Sequence, residues 1–322
     1  MSKLVTITVN TSIDYLIEVE DFEPGEAIKA LSAQRFAGGG GINVARALAT
    51  LGANVVTLGF VSENSAEFFE EPQLDSHSSL LTKVAGQNRE NITIHDNENN
   101  IHFYIQTPGY TVTKEDLQRL NNAIEQFIAP GDWVVISGSL PPGAAKSTEW
   151  ELVRTCQRLG AIVTLDTSKE DLQRGLDAKP YMVKPDIREL EMLTGMSLKG
   201  DEDGILMAAS QIARSGVEVV IVSRSAEGVI VVSREPERAW KAKVALTGHT
   251  ESLPLVGSGD SLVGGILFGL FHKKPLVEAL RLGVACGAAN LLTVGPAKFK
   301  MSDVERISSE IQIEELPLFA TI

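Results

Sequence analysis

Cysteine is scarce in this chain. Cys156 and Cys286 are the only two in 322 residues, and they form no CxxC pair and no metal-ligand spacing. That excludes a disulfide framework and a zinc-ribbon site, and it predicts two buried thiols. The five histidines, His77, His95, His102, His249 and His272, are scattered with no HExxH, so no zincin centre is expected. Positive charge is also short. Lys and Arg number 29 against 42 Asp and Glu, for a formal net charge of −13. Such a surface repels nucleic acid and anionic lipid, and neither is an expected partner. Anionic small substrates stay open, because a local field can oppose the global one. No window reaches the ~18 apolar residues of a membrane span. The opening MSKLVTITVN has no long apolar stretch, so a soluble cytoplasmic protein is expected.

What is present is an alternation of two patterns. Short Val- and Ile-rich runs, apolar on both faces, occur at Val5–Val9, Val55–Phe60, Trp133–Ser137, Ile162–Asp166, Tyr181–Lys184, Val219–Ser223 and Val229–Val232. They suit the strands of a mostly parallel sheet covered on both sides. Helical patterns lie between them, including Ile42–Leu51, Lys146–Leu159 with Ser147 as a plausible N-cap, Ile187–Leu193 ending at Gly195, Asp260–Phe271 and Leu276–Leu292. The alternation predicts one α/β domain over 1–322 with a doubly wound sheet. Two regions break it. Segments 13–36 and 91–107 read as half-exposed strands of a small separate sheet, one that could cover a site or pair with another subunit. In the second, Ile92, Ile94, Ile101, Phe103 and Ile105 alternate around a polar turn, which predicts one buried face.

Glycine is where the chemistry concentrates. Val256-Gly257-Ser258-Gly259-Asp260 opens directly into a helix. Free amides and the macrodipole make such a terminus an anion site. Asp260 sits in its first turn as a candidate base. Neither GxxxxGK[ST] nor GxGxxG is matched, since Leu262 stands where a third glycine should be. Gly38-Gly39-Gly40-Gly41-Ile42-Asn43 leaves backbone bare ahead of another helix, with Asn43 able to donate and accept to a sugar hydroxyl. Asp14 follows the first strand, where α/β proteins place ligands, or is simply a turn residue. Asp186 and Glu189 lie in one first turn after Lys184-Pro185. They suit Mg²⁺ held largely through water, or an ordinary cap.

These strings, in this order, resemble the ribokinase-like (PfkB) carbohydrate kinases along nearly the whole chain, and the phosphofructokinase and tagatose-6-phosphate kinase branch in particular. Asn10–Asp14, Gly39–Ala47, Ser137-Gly138-Ser139-Leu140-Pro141-Pro142-Gly143 and Val256–Gly265 carry the likeness. The resemblance implies a ribokinase-like fold with the small sheet as a lid. It implies ATP and Mg²⁺, and transfer of the γ-phosphoryl group to a hexose phosphate, with fructose 6-phosphate or tagatose 6-phosphate favoured. Asp260 is then the base, and Gly257, Ser258 and Gly259 form the anion hole that also meets the nucleotide. Asp14, Gly39, Gly40, Asn43 and Ser139 hold the sugar, and Lys29 and Arg89 its phosphate. Lys184, Ser223, Ser225 and Gly228 serve the nucleotide, and Asp186 and Glu189 the metal. A homodimer through the lid is implied too.

Four departures bear on this. Asp186 stands in place of the family's usual asparagine. Ser223-Arg224-Ser225-Ala226 replaces a more glycine-rich loop. Lys29 replaces arginine, losing bidentate geometry. Ser62–Leu81 reads polar and acidic where a glycine-rich stretch is usual. The 1-phosphofructokinases and tagatose-6-phosphate kinases of the branch usually have lysine in place of Gly40. The alternatives kept open are a 1-phosphofructokinase and a sugar-phosphate-binding protein that has lost efficient catalysis.

Overall fold

Strands that are apolar on both faces require cover on both sides, and the chain supplies it. In order, the elements are β1 (Leu4–Thr8), β2 (Ser12–Val19), β3 (Ser32–Gly38), α1 (Gly40–Thr50), β4 (Val55–Ser62), β5 (His77–Val84), β6 (Arg89–Asp96), β7 (Ile101–Gln106), α2 (Lys114–Phe127), β8 (Trp133–Ser137), α3 (Thr148–Arg158) and β9 (Ile162–Asp166). They continue with α4 (Lys169–Leu176), β10 (Met182–Val183), α5 (Ile187–Thr194), α6 (Glu202–Arg214), β11 (Val219–Ser223), β12 (Val229–Ser233), β13 (Arg238–Lys243), α7 (Ser258–Phe271), α8 (Leu276–Asn290), α9 (Met301–Glu310) and β14 (Gln312–Leu316). The structure is a computed structural model and describes residues 2–23, 25–70, 77–167, 169–244 and 256–318. His249 and Leu255 lie outside the described residues, as do 71–76 of the polar segment.

Ten strands make one sheet in the order β14-β13-β12-β11-β10-β9-β8-β1-β4-β5. From β11 to β5 the neighbours are parallel, and β12 to β14 extend one edge antiparallel. Successive strand residues feed opposite cores. Val5, Ile7, Val220 and Val222 pack with α2 to α6, while Leu4, Val219 and Ile221 pack with α1, α7, α8 and α9. The doubly wound expectation therefore holds. Among the described residues, no helix is long and apolar enough to cross a membrane.

The second sheet has the order β3-β2-β6-β7, with β2 and β6 parallel. Its strands overlap the two segments that broke the alternation, running one or two residues beyond them. The expected burial of the hairpin is met only in part: Ile92, Ile94 and Phe103 are half-buried. Thr93 and His95 are buried, whereas Ile101 and Ile105 are 48% and 50% exposed. Phe69, Val61 and Ala66 cover this apolar face at its base, around Ile13 and Ala37, and Phe22 packs on Phe103 farther out. Farther out the sheet projects past the main body, and alternation alone cannot say which face has something to lie against.

Three local expectations also need correction. Ser147 makes no cap bond, and its hydroxyl donates to Glu151 instead. Strand β5 was not legible, because it is a half-exposed edge strand. Helices α1 and α7 start inside their glycine strings, at Gly40 and Ser258, so each preceding turn is shorter than the string suggests.

Candidate active site

Helices α1 and α7 pack on small residues. A Cβ at Gly264 would lie 2.8 Å from Cβ of Ala47, so the axes approach closely. This brings the two glycine-led N-termini together above the C-terminal ends of the parallel strands, where open α/β sheets hold ligands.

Gly257 is the N-cap of α7, with φ 87°. Its Cα faces the backbone of Pro296 and Ala297, leaving no room for a side chain there. The first intrahelical bond runs from the Ser261 amide to the Gly257 carbonyl. The amides of Gly259 and Asp260 precede it and have no acceptor inside the helix. Asp260, in this first turn, accepts from Asn43 Nδ2 at 2.8 Å. Burial, then the nearby Asp166 charge, pushes its carboxyl up to about 7, against the pull of Asn43 and Lys184. A carboxyl placed there titrates near neutral pH, where a general base works best.

Asn43 is itself held. Arg46 donates to its Oδ1 at 2.9 Å and to the Pro296 carbonyl at 3.0 Å. Asp14, on β2, accepts on one oxygen from Ser12 and Asn91, both at 2.7 Å, which leaves its other oxygen unbonded. Burial raises its pKa despite those bonds and despite Arg89 and Arg46. The four-glycine string is less bare than expected. A side chain at Gly38 would strike the Asp14 carboxylate and one at Gly40 would strike Ser137 Oγ, so the glycines make room for protein as well as for ligand. Ser139 receives a bond from Asn10 Nδ2 at 3.1 Å. A cavity of about 170 Å³ opens beside Asp14 beneath the small sheet, lined by Phe36, Asn91, Tyr104, Val256 and Pro296 among others.

On the other side of Asp260, Lys184 at the end of β10 pairs with Asp166 at 3.1 Å. Burial opposes its charge, yet Asp166, Glu189 and Asp260 outweigh that and raise its pKa. Asp186 and Glu189 form a reciprocal capping box on α5, each using one carboxylate oxygen at 2.8–2.9 Å. Glu189 is nevertheless raised, by burial first and by its acidic neighbours Asp186 and Asp166. Ser223 bridges to Asp186 at the end of β11. Ser225 lies exposed in the following turn, and Gly228 closes that turn with φ 84° against the Ala242 carbonyl. Arg224 turns inward to Glu202 at 3.0 Å.

The fold therefore brings together Asp14, Gly39, Gly40, Asn43, Ser139, Lys184, Gly257, Gly259 and Asp260. It also brings Arg89, which opens β6 opposite Ser12 and whose buried Nε has no partner among the described residues. Lys29 is not brought in. It is exposed in the connection beyond the Glu18–Ser32 pair. That pair lies four residues along the hairpin from Asp14, a span of about 13 Å. Sequence reasoning missed Asp166, Arg46 and Asn91. Asp166 had a signal, since it ends a strand legible in the sequence, as ligand-side residues of such sheets do.

Comparison with protein families matches residues 3–302 to the pfkB family carbohydrate kinases. The chain is 31% identical to a 1-phosphofructokinase of Bacillus subtilis, covering 97% of this chain and all of that one. It is 29% identical to the ATP-dependent 6-phosphofructokinase isozyme 2 of Mycobacterium tuberculosis, over 94% of this chain and 88% of the relative. Among solved structures, phosphofructokinase-2 of Escherichia coli in complex with fructose-6-phosphate superposes with a TM-score of 0.86 at 27% identity, over 96% of this chain and 99% of that one. An Arabidopsis thaliana ribokinase complexed with ribose and ATP shares the fold, with a TM-score of 0.71 at 20% identity, over 96% and 99%.

Proposed function

We propose, for a chain that belongs to the pfkB family of carbohydrate kinases, that it transfers the γ-phosphoryl group of ATP to a hydroxyl of a fructose 6-phosphate-like hexose phosphate. Tagatose 6-phosphate is the near alternative. The observation that carries this reading is the Asn43–Asp260 contact with Lys184 and Asp166 alongside, which supports taking Asp260 as a base between a hydroxyl-binding side and a phosphate-binding side. In-line transfer needs little more than such positioning and charge neutralisation. Asp14, with one carboxylate oxygen unbonded, accepts from sugar hydroxyls. Arg89, half-buried and with its buried Nε unpartnered among the described residues, suits the substrate phosphate. Asp260 takes the proton of the attacking hydroxyl. The Gly259 and Asp260 amides, with Lys184, face the moving phosphoryl group.

Mg²⁺ fits the same region. Asp166, Asp186 and Glu189 are all oxygen donors and disfavour one another's charge. Among the described residues, no three such groups enclose an ion, so these carboxylates would hold it through water. When bound, it would offset charge on the nucleotide phosphates.

A 1-phosphofructokinase is the second reading, favoured by the Bacillus subtilis relative. Against it, and equally against a tagatose-6-phosphate kinase, stands Gly40, pressed on Ser137 and the Gly138 amide with no room for the lysine usual at that place in such enzymes. We read the small sheet as a lid and as the face that joins two copies, since Leu31, Ile101 and Ile105 are exposed on it. A cytoplasmic setting suits such an enzyme.

An ADP-release assay with fructose 6-phosphate, tagatose 6-phosphate and fructose 1-phosphate tests the assignment, and the 6-phosphates are expected to turn over fastest. No release with any of them, alongside tight sugar-phosphate binding, leaves a binding protein instead. The pH profile offers a second check. Asp260 must be ionised to act, so kcat/KM is expected to fall about tenfold per unit as pH drops below about 7. A flat profile between pH 5.5 and 7.5 contradicts the role of Asp260.

A further inference from the structure

A hydroxyl carries one hydrogen. The Thr167 Oγ, just past the end of β9, lies 2.9 Å from the carbonyl oxygen of Gly138 and 2.6 Å from Oε1 of Glu149. With Glu149 ionised, both neighbours are acceptors, and one hydrogen cannot serve both. Both contacts become hydrogen bonds only when Glu149 carries a proton and donates it to Thr167, which frees the threonine hydrogen for Gly138. Glu149 sits in the first turn of α3 and is 1% exposed, and its Oε2 has no partner among the described residues. The proposed reaction uses none of these atoms.

Gly138 is not a remote target. Its amide donates to the Asp166 carbonyl at 3.1 Å, and the Asp166 carboxylate holds Lys184. The Gly138 amide also lies against Gly40, where a side chain would come within 3.0 Å of it. Ser139, the next residue, holds Asn10. The Gly138 peptide thus joins the glycine string on the sugar side to Asp166 on the nucleotide side, and Thr167 tethers it to Glu149.

We propose that Glu149 is a positioning residue that holds the Ser137–Gly143 loop between the two halves of the active site while it carries a proton, and lets the loop loosen when the proton leaves. The inference rests on the kinase reading of that site. Burial pushes the Glu149 carboxyl up to about 8. The Thr167 contact pulls it down, Asp171 of α4 pushes it up and Arg174 of α4 pulls it down, and no other described charge bears on it. The folded chain therefore keeps a proton that the unfolded chain releases near 4.5. Between those values the folded state binds more protons, so this group's stabilisation is lost as pH rises through about 8.

Glu149→Gln mimics the protonated acid, since its amide can donate to Thr167 at any pH. The ratio of its kcat to that of the wild type is expected to rise from about one at pH 6.5 to roughly 3- to 10-fold at pH 9, the size of one neutral hydrogen bond. Its melting temperature should fall less steeply than the wild type's between pH 6 and 9. That second reading needs no turnover, so it separates failure of this inference from failure of the kinase assignment. Thr167→Val, which cuts the tether, should already be slowed at pH 6.5 and show no further step near pH 8. Parallel melting curves for wild type and Glu149→Gln, or an unchanged alkaline step in Thr167→Val, overturn the proposal.

Discussion

Asp260→Asn is expected to lower kcat by about 10²–10⁴-fold, the usual worth of a general base. Sugar-phosphate affinity should stay within a few-fold of wild type. The amide keeps the shape, and its oxygen can still accept from Asn43 Nδ2, so the α1–α7 contact survives. What disappears is the group that takes the hydroxyl proton. The substitution also removes a negative charge beside Asp166, so thermal stability should hold or rise. Steady-state kinetics with calorimetric binding and a melting curve measure all three quantities. Turnover near wild type, or loss of binding together with rate, would remove Asp260 from the role of base.

Gly257→Ala should be the most damaging single methyl group in the site. At φ 87° any other residue pays for a left-handed backbone, roughly 1–3 kcal/mol. The new Cβ would also strike the backbone at Pro296 and Ala297. The Pro296 carbonyl is what Arg46 holds, and Arg46 holds Asn43, so the displacement reaches Asp260 from both sides. A shift of about 1 Å in reacting groups can cost on the order of 10²-fold in rate. We therefore expect kcat/KM to fall about 10²-fold and the melting temperature to drop by several degrees. Gly259→Ala is the control. Its Cβ would meet only Lys184 Nζ at 3.5 Å, an ordinary contact, so stability should be unchanged. Equal melting temperatures for the two variants would show that the Gly257 backbone is not strained as the geometry states.

Much of this site was legible before any fold was known. Asp260 and Asn43 stand at fixed offsets from glycines at helix starts, and such strings are local statements about backbone and dipole. Lys184, Asp186 and Glu189 were legible for the same reason, since a strand end, a proline and a capping box are neighbours in the chain. Asp166 could have been found by the strand-end rule. Asn91 could not, because its partner Asp14 comes from a distant segment, and Arg46 only in part, since Asn43 lies three residues away on the same helix but Pro296 is distant in the chain. Lys29 shows the converse. A basic residue in the right stretch was placed at the substrate by resemblance, yet the hairpin carries it outward past Glu18 and Ser32.

By itself the sequence determined the alternation of strand and helix, the two-sided burial of the large sheet and the two glycine-led helix starts. Each of these is set by residues within a few positions of one another. Only the tertiary structure decided that Asn43 touches Asp260, that Gly40 makes room for Ser137, and which face of the small sheet is left open. It alone set Thr167 between two acceptors, where a single hydrogen makes the state of Glu149 matter. Close packing between segments far apart in the chain creates those contacts, and no local pattern encodes which distant atoms will meet.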